Sequence, residues 1–530
     1  MVYRIVGALV GRPRYAIVGG GFAGVAAAWH LLALTSPRPV DVHLFDGAGL
    51  AGGASGAAAG LLHPFSPKGK LLWHGEEAMG AALELLAVAN AHRERMLQQQ
   101  SSEINPTESR HRAPDAHKDY ADSEPPSTSH TDSGLPSGSS TCLEQAEEGG
   151  SGRETGVDCG AGKGQISWAQ PFLRPAADAR QAAAFLRLPA QIRGIPSSSF
   201  ERTNTPEDDN SSSGRGDDAQ IDVGMRGAES EVAQGASVRA VGVDAAAAAL
   251  PGLPEEALRA AVGRDLESSA ALWIEGSHVV HPERYLRALW GACEETARSR
   301  GGQCRLVGEK VASLHALEEV HGHYTAVIVA AGAAAGTLPE IGDKLPMELC
   351  QGYTLDLAPP RADTASVPVE ASTPGGSAAV DGCSTYDGPS LLGSTYLAAQ
   401  WRCHLVVGAT KRYGLSSQQA LEECGRAVSD PDEVTAAAAE LVPRAAGAWP
   451  PAARWEMVGV RSGVRALPPR SAQGSLPLAG KLEAGRKWWV VAGLGARGLV
   501  YHAWLGRLIA RAVLADDESE LPGELRRWQP

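Results

Sequence analysis

The stretch "YAIVGGGFAG", Tyr15 to Gly24, decides how this chain is read. Tyr15-Ala16-Ile17-Val18 reads as a buried strand, and "FAGVAAAWHLLAL" reads as a helix opening directly after the turn. Between them stands Gly19-x-Gly21-x-x-Gly24. Gly19 permits the tight turn, Gly21 lets backbone approach a pyrophosphate, and Gly24 lets the helix pack close to the strand. Phe22 and Ala23 open that helix, whose N-terminus carries the positive end of its dipole. A second strand, "VDVHLF", ends at Asp46, 22 residues after Gly24. An acid there suits the ribose hydroxyls of adenosine and repels a 2′-phosphate. The pattern predicts a dinucleotide-binding unit; the competing reading is a purely structural glycine turn.

Working outward, four more segments bear on the cofactor. "DGAGLAGGASGAAAGLLHPFSP" sets Gly53, Ala54 and Ser55, then Gly60 and Leu61, shortly after the acid. "GEKVASL" supplies Val311, and "YTAVIVAAGAAA" is a buried strand running into Ala330, Ala331 and Gly332. Near the C-terminus, "GLGARGLVYHAWLGRLIARAV" places Gly493, Gly495, Arg497, Gly498 and Leu499 between a strand and a helix. In this order the segments resemble the D-amino-acid-oxidase-like (DAO) family of FAD-dependent oxidoreductases. The resemblance implies that the small-residue loop lines the ribityl chain and isoalloxazine of FAD. It implies that Val311 meets the adenine through backbone groups, and that Ala330–Gly332 and the C-terminal glycines approach the flavin. "GASGAAAGLLHPFSPK", "GVRSG" with "LPLAG", and "GLGARGL" are similar to the branch that oxidises a carboxymethylated wobble uridine in tRNA, and glycine oxidase shares the layout.

Family amine oxidases take a hydride equivalent from the carbon beside an unprotonated amine, so the protein's task is orientation. A carboxylate grip is then the chemistry to look for, and the arginine fork supplies it. The resemblance points to Arg461 in "GVRSGVRALPPR" as the carboxylate holder and to Arg497 as a second arginine near the flavin; each could equally serve an ion pair within the fold. Arg465 is a further candidate without a family counterpart. His63 could line the site, tether the flavin or cap a turn before Pro64. Tyr353 and Tyr396 could shape the pocket or be ordinary sheet aromatics, and His281 before Pro282 reads as a helix cap.

Composition sets the bounds. The 530 residues suffice for two or three domains, with 43% hydrophobic and 21% charged residues, an ordinary globular profile. No apolar run reaches the roughly 18 residues of a membrane span, so a soluble protein is expected. Eight cysteines without a C-x-x-C pair read as reduced thiols, and no metal site is expected. The net charge of −13 is concentrated: residues 101–165 hold 12 acids and 5 bases, and residues 190–236 hold 9 acids and 4 bases. The remainder is close to neutral, and its charge argues neither for nor against tRNA as a partner.

The expected fold is α/β: a discontinuous Rossmann-type FAD-binding domain with a second, α+β substrate domain on an antiparallel or mixed sheet. The FAD-binding domain is expected in three parts, 14–96, 301–345 and 485–530, the last with a C-terminal helix. The substrate domain takes 166–300 and 346–484. Ser-, Pro-, Gly- and acid-rich inserts at 97–165, 190–236 and 360–388 are expected to be disordered. "MVYRIVGALVGRPR" is too short for a convincing leader; a cytoplasmic or organellar address, the latter through an N-terminal extension, stays open. Three functions follow. The first is oxidation of a small carboxylate-bearing amine, with dioxygen or another electron acceptor. The second is a tRNA-modifying oxidase, which would need Lys68, Lys70, Lys411 and Arg412 to form a basic patch. The third is a non-catalytic flavoprotein assembly factor.

Overall fold

The computed structural model describes residues 12–104, 165–188, 236–360, 385–423, 428 and 430–529. The N-terminal segment and most of the three expected inserts lie outside the described residues. The chain divides into two compact units, Met1–Arg93 with Val157–Pro530, and Glu94–Gly156. Both large sheets belong to the first. The described residues of the second are the last turns of a helix.

Strand β1 (Arg14–Val18) runs into helix α1 (Phe22–Leu34) and then β2 (Asp41–Phe45). Helix α2 (Gly75–Ile104) precedes β3 (Phe172–Pro175), β4 (Ser237–Val241) and β5 (Ala271–Glu275). Helix α3 (Pro282–Ser299) leads into β6 (Gln303–Val307) and β7 (Ala326–Val329). Next come β8 (Glu348–Ala358), β9 (Ser390–Leu391), β10 (Tyr396–Ala399), β11 (Leu405–Gly408) and β12 (Arg412–Tyr413). Helix α4 (Pro431–Ala448), β13 (Glu456–Leu467), β14 (Leu478–Lys481), β15 (Trp488–Ala492) and α5 (Gly498–Ala515) follow.

The first sheet is Rossmann-type, in the order β14-β15-β7-β1-β2-β6, parallel except for the β14–β15 pair. Its central strands are apolar almost throughout because helices cover both faces. Helix α1 is alanine-rich and buried on nearly every side, as a helix without a polar face must be. It packs against α5 and α3. The ring of His281 accepts from Arg284 N at 3.4 Å, and Pro282 takes the first helical position, so α3 starts where the sequence placed a cap.

The second sheet runs β12-β8-β11-β10-β9-β3-β5-β4, with β13 along the free edge of β8. The β8–β13 pair is antiparallel from Glu348↔Leu467 to Ala358↔Glu456, with a register shift between Asp356 and Leu357. Strand β9 bridges to β3 in parallel, Leu391 opposite Leu173.

Several expectations change. Helix α2 continues to Ile104, past the insert boundary expected at 97. The described residues begin again at Thr385, and Tyr386 is buried edge-on to Trp449 at 4.8 Å, inside the insert expected to reach 388. Tyr285, Leu286 and Leu289 of α3 belong to the core beneath α1, and β14 pairs with β15. The boundaries placed at 300 and 485 therefore cut elements of the first sheet away from it. Strand β11 lies between β8 and β10 and is buried at every position. Cys403 is disulfide-bonded, against the expectation of free thiols, whereas Cys293, Cys304 and Cys350 are free. Among the described residues no helix is long and apolar enough to cross a membrane, and no group of side chains could hold a metal.

Candidate active site

At the end of β1 the backbone turns so tightly that side chains are excluded. Gly19 has φ +117°, and a Cβ there would lie 2.4 Å from the Ala330 oxygen. A Cβ on Gly24 would lie 1.9 Å from the Gly19 oxygen. The turn is locked by Gly19 N donating to Phe45 O and Ala330 N donating to Val18 O, each at 2.8 Å. Asp46 accepts from Gly20 N at 2.6 Å and from Ala48 N at 2.8 Å, which fixes its carboxylate at the rim. No side chain caps α1 at Gly21, and Phe22 N donates to Ser55 Oγ at 3.1 Å.

A cavity of about 340 Å³ opens beside this turn, lined by Gly19, Gly21, Asp46, Gly53, Val311 and Ala331. A second, of about 460 Å³, shares Ala54, Ser55, Ala330 and Gly332 with it. Phe22, Ala23, Gly60 and Leu61 line one side of the second cavity. Gly493, Gly495, Gly498 and Leu499 line the other. Of the residues expected at the cofactor, only Gly24 lies away from both, behind the turn it lets close. The donor set fits FAD: for a pyrophosphate, a helix N-terminus whose cap residue Gly21 carries no side chain; for a ribose, a rim carboxylate; and small residues where a ring must lie flat.

The two arginines of β13 face the same side of the sheet, four residues apart, yet meet different surroundings. Arg461 donates from Nε to Asp356 Oδ2 at 2.9 Å, from Nη2 to Oδ1 at 2.7 Å and from Nη1 to Gly56 O at 3.0 Å. His404 Nε2 lies 3.0 Å from the same carboxylate. Burial alone would raise the Asp356 pKa, but His404 and Arg461 outweigh it and hold the group below the usual carboxylate range. Arg461 does not line the cavity, so the grip expected of it is corrected: its fork is closed on Asp356 and steadies the loop through Gly56. Between the two arginines Gly463 lies against the loop, where a Cβ would meet Ala54 Cα at 2.9 Å. Beyond it Arg465 enters the cavity, where its Nη2 lies 3.7 Å from Cys350 Sγ.

Arg497 also lines the cavity, as do Tyr396, His63 and Arg174. Tyr353 does not; its hydroxyl accepts from Gln351 Nε2 at 3.2 Å. Burial pushes the Tyr396 hydroxyl up to about 12, so it is a neutral donor. His63 Nδ1 accepts from Phe65 N at 3.3 Å, leaving the ring proton on Nε2. Burial, then Arg174 and Arg497, hold this imidazole down to about 3. No acidic side chain is among the described residues lining the cavity. Lys68 and Lys70 are exposed on the loop beyond Phe65, Lys411 lines a neighbouring cavity of about 750 Å³, and Arg412 donates to Gln351 Oε1 at 3.4 Å.

Sequence reading missed Arg174, the Asp356–His404 pair and Gln400, whose Nε2 donates to Ala59 O at 3.3 Å. The only signal for Arg174 was a lone cation in the apolar run "PFLRP".

The model of the family described as FAD dependent oxidoreductase (DAO) matches residues 14–119 and 218–512. Among solved structures, glycine oxidase from Geobacillus kaustophilus is 17% identical, with 96% of each chain covered and a TM-score of 0.50. Glycine oxidase from Bacillus cereus is 12% identical over 96% of this chain and 97% of its own, TM-score 0.51. L-Proline dehydrogenase from P. horikoshii is 12% identical over 98% of each, TM-score 0.50. At such identities the likeness concerns the fold. No curated protein matches the sequence.

Proposed function

The chain belongs to the DAO family of FAD-dependent oxidoreductases, and from that premise we propose that it oxidises the C–N bond of a small amine bearing a carboxylate. One observation carries the reading: Arg465 and Arg497 line the same cavity as the small-residue loop, and no acid among the described lining residues competes for them.

In this reading the α1 N-terminus holds the pyrophosphate of FAD, Asp46 the ribose, and the loop Gly53–Gly60 the ribityl chain. Bound FAD supplies a two-electron acceptor. Arg465 and Arg497 take the carboxylate in a forked grip and so orient the carbon beside the nitrogen. Neutral His63 and Tyr396 each offer one hydrogen-bond donor without adding charge. Ala57, Ala58, Phe65 and Leu392 keep water from the reacting carbon. The amine gives up two electrons and two protons to become an imine, which water then splits into a carbonyl compound and a smaller amine. The electron acceptor is dioxygen or another oxidant.

The test is an anaerobic titration of the holoprotein with glycine, sarcosine, D-alanine, D-proline and a carboxymethylaminomethyl-uridine tRNA, followed by flavin absorbance at about 450 nm. A free amine should bleach the flavin, and Arg465→Ala should lower kcat/KM about 100-fold while flavin content holds. Bleaching by the tRNA alone, or by nothing in an amine panel widened to dicarboxylates, overturns the proposal.

A further inference from the structure

The cavity contains a third guanidinium that a single carboxylate does not occupy. Arg174 comes from β3, which lies between β9 and β5 and is not paired with β13. It nevertheless lines the same cavity as Arg465 and Arg497. Its Nε is buried with no hydrogen-bond partner, and no ion pair joins it to any described carboxylate. Burial pulls the guanidinium down to about 10, still charged at neutral pH. His63, within electrostatic reach of both Arg174 and Arg497, is neutral and compensates neither.

A cation taken partly out of water without a partner is unfavourable, and folds retain one where its counter-charge arrives with a ligand. One carboxylate has two oxygens with about four acceptor sites, enough to satisfy two forks. Arg465 and Arg497 use them, and Arg174 is left over. Two carboxylates against three guanidinium groups leave one net positive charge in the cavity, and a single carboxylate leaves two.

We propose that the substrate is a dianionic amine carrying two carboxylates, the first held by Arg465 and Arg497 and the second by Arg174. The assignment rests on the amine-oxidation reading above and names its substrate class. The second carboxylate could hang from the nitrogen, as in iminodiacetate, or from the side chain, as in D-aspartate and D-glutamate; the chemistry recognised is the same.

The experiment compares kcat/KM of the holoprotein for iminodiacetate, D-aspartate and D-glutamate with that for glycine, sarcosine and D-alanine. Equilibrium binding of inert malonate, succinate and acetate is read alongside, from perturbation of the flavin spectrum. At least one dicarboxylate should exceed its monocarboxylate counterpart by about 10-fold or more. Arg174→Met should lower that ratio by about 10- to 100-fold, with Arg174→Lys restoring part of it. Wild-type protein should bind malonate or succinate at least about 10-fold tighter than acetate, a reading that survives if the Met variant fails to fold. Oxidation of monocarboxylates with no dicarboxylate preference, or a preference that persists in Arg174→Met, overturns this inference and leaves amine oxidation standing. Selective dicarboxylate binding without reduction by any amine overturns the reaction and keeps the subsite.

Discussion

At the nucleotide end of the cleft one added carbon on Gly24 would lie 1.9 Å from a backbone oxygen. At the substrate end, the wall carries three long guanidinium side chains, Arg174, Arg465 and Arg497, and no acidic side chain among the described residues that line it. The first end is made of main chain, the second of side chains. Main chain in close approach has no alternative arrangement, so the glycine turn fixes one geometry. Side chains from β3, β13 and the C-terminal turn can be exchanged singly, so the second end can change its ligand without disturbing the fold.

The sharpest way to break this contrast is Gly24→Val. Because the clash is with backbone, the cost should be about 3 kcal/mol or more. The variant should purify without flavin and with a lowered Tm; a yellow protein of wild-type stability would show that the turn can yield. Next in size is Asp356→Ala, which strands Arg461 behind the loop. The pair is part-exposed, with side-chain exposures of 26% for Arg461 and 14% for Asp356. Its loss should therefore cost about 2 kcal/mol in urea unfolding, below the figure for a fully buried pair. An unchanged midpoint would mean that the loop does not depend on this pair.

Taken ring by ring near pH 6, the smallest effect concerns pH. Burial, the largest cause in each case, holds His30, His63 and His281 at about 3 and His502 at about 4. In the unfolded chain these rings take up protons near pH 6.5, whereas the fold resists until pH 3 to 4. The unfolded state thus binds more protons in that window, and stability should fall as pH drops below about 6.5, by about 1.4 kcal/mol per pH unit for each ring. Unfolding free energies at pH 7.5, 6.0 and 5.0 check this, and a flat profile refutes it. Removing His63 alone by His63→Gln should take away one ring's share.

The nucleotide end was legible because its determinants are local. Gly19, Gly21, Gly24 and Asp46 lie within 28 residues; the glycines act through backbone, and the Asp46 carboxylate binds the Gly20 and Ala48 amides close by. The substrate end was not, for a reason visible on β13. Arg461 and Arg465 share one face of the strand, and nothing within "GVRSGVR" states which of them a carboxylate more than a hundred residues upstream will claim. Arg174 was further from view still, since its place depends on the pairing of β3 with β9 across more than 200 residues. The domain boundaries slipped for a related reason: α3 and β14 look alike in sequence whichever sheet they serve, and only packing assigns them to the first.

The order of strands in the first sheet also bears on how the chain is made. β1 hydrogen-bonds β7, although Arg14 and its partner Thr325 are 311 residues apart, and β7 in turn awaits β15. At ribosomal speeds that separation is about half a minute. Throughout it the nascent β1–α1–β2 piece keeps one edge of its central strand unpaired, and an open edge invites pairing with other chains. Ribosome-bound chains that stop short of Ala326 should therefore be the aggregation-prone species of this protein, and the first clients for chaperones.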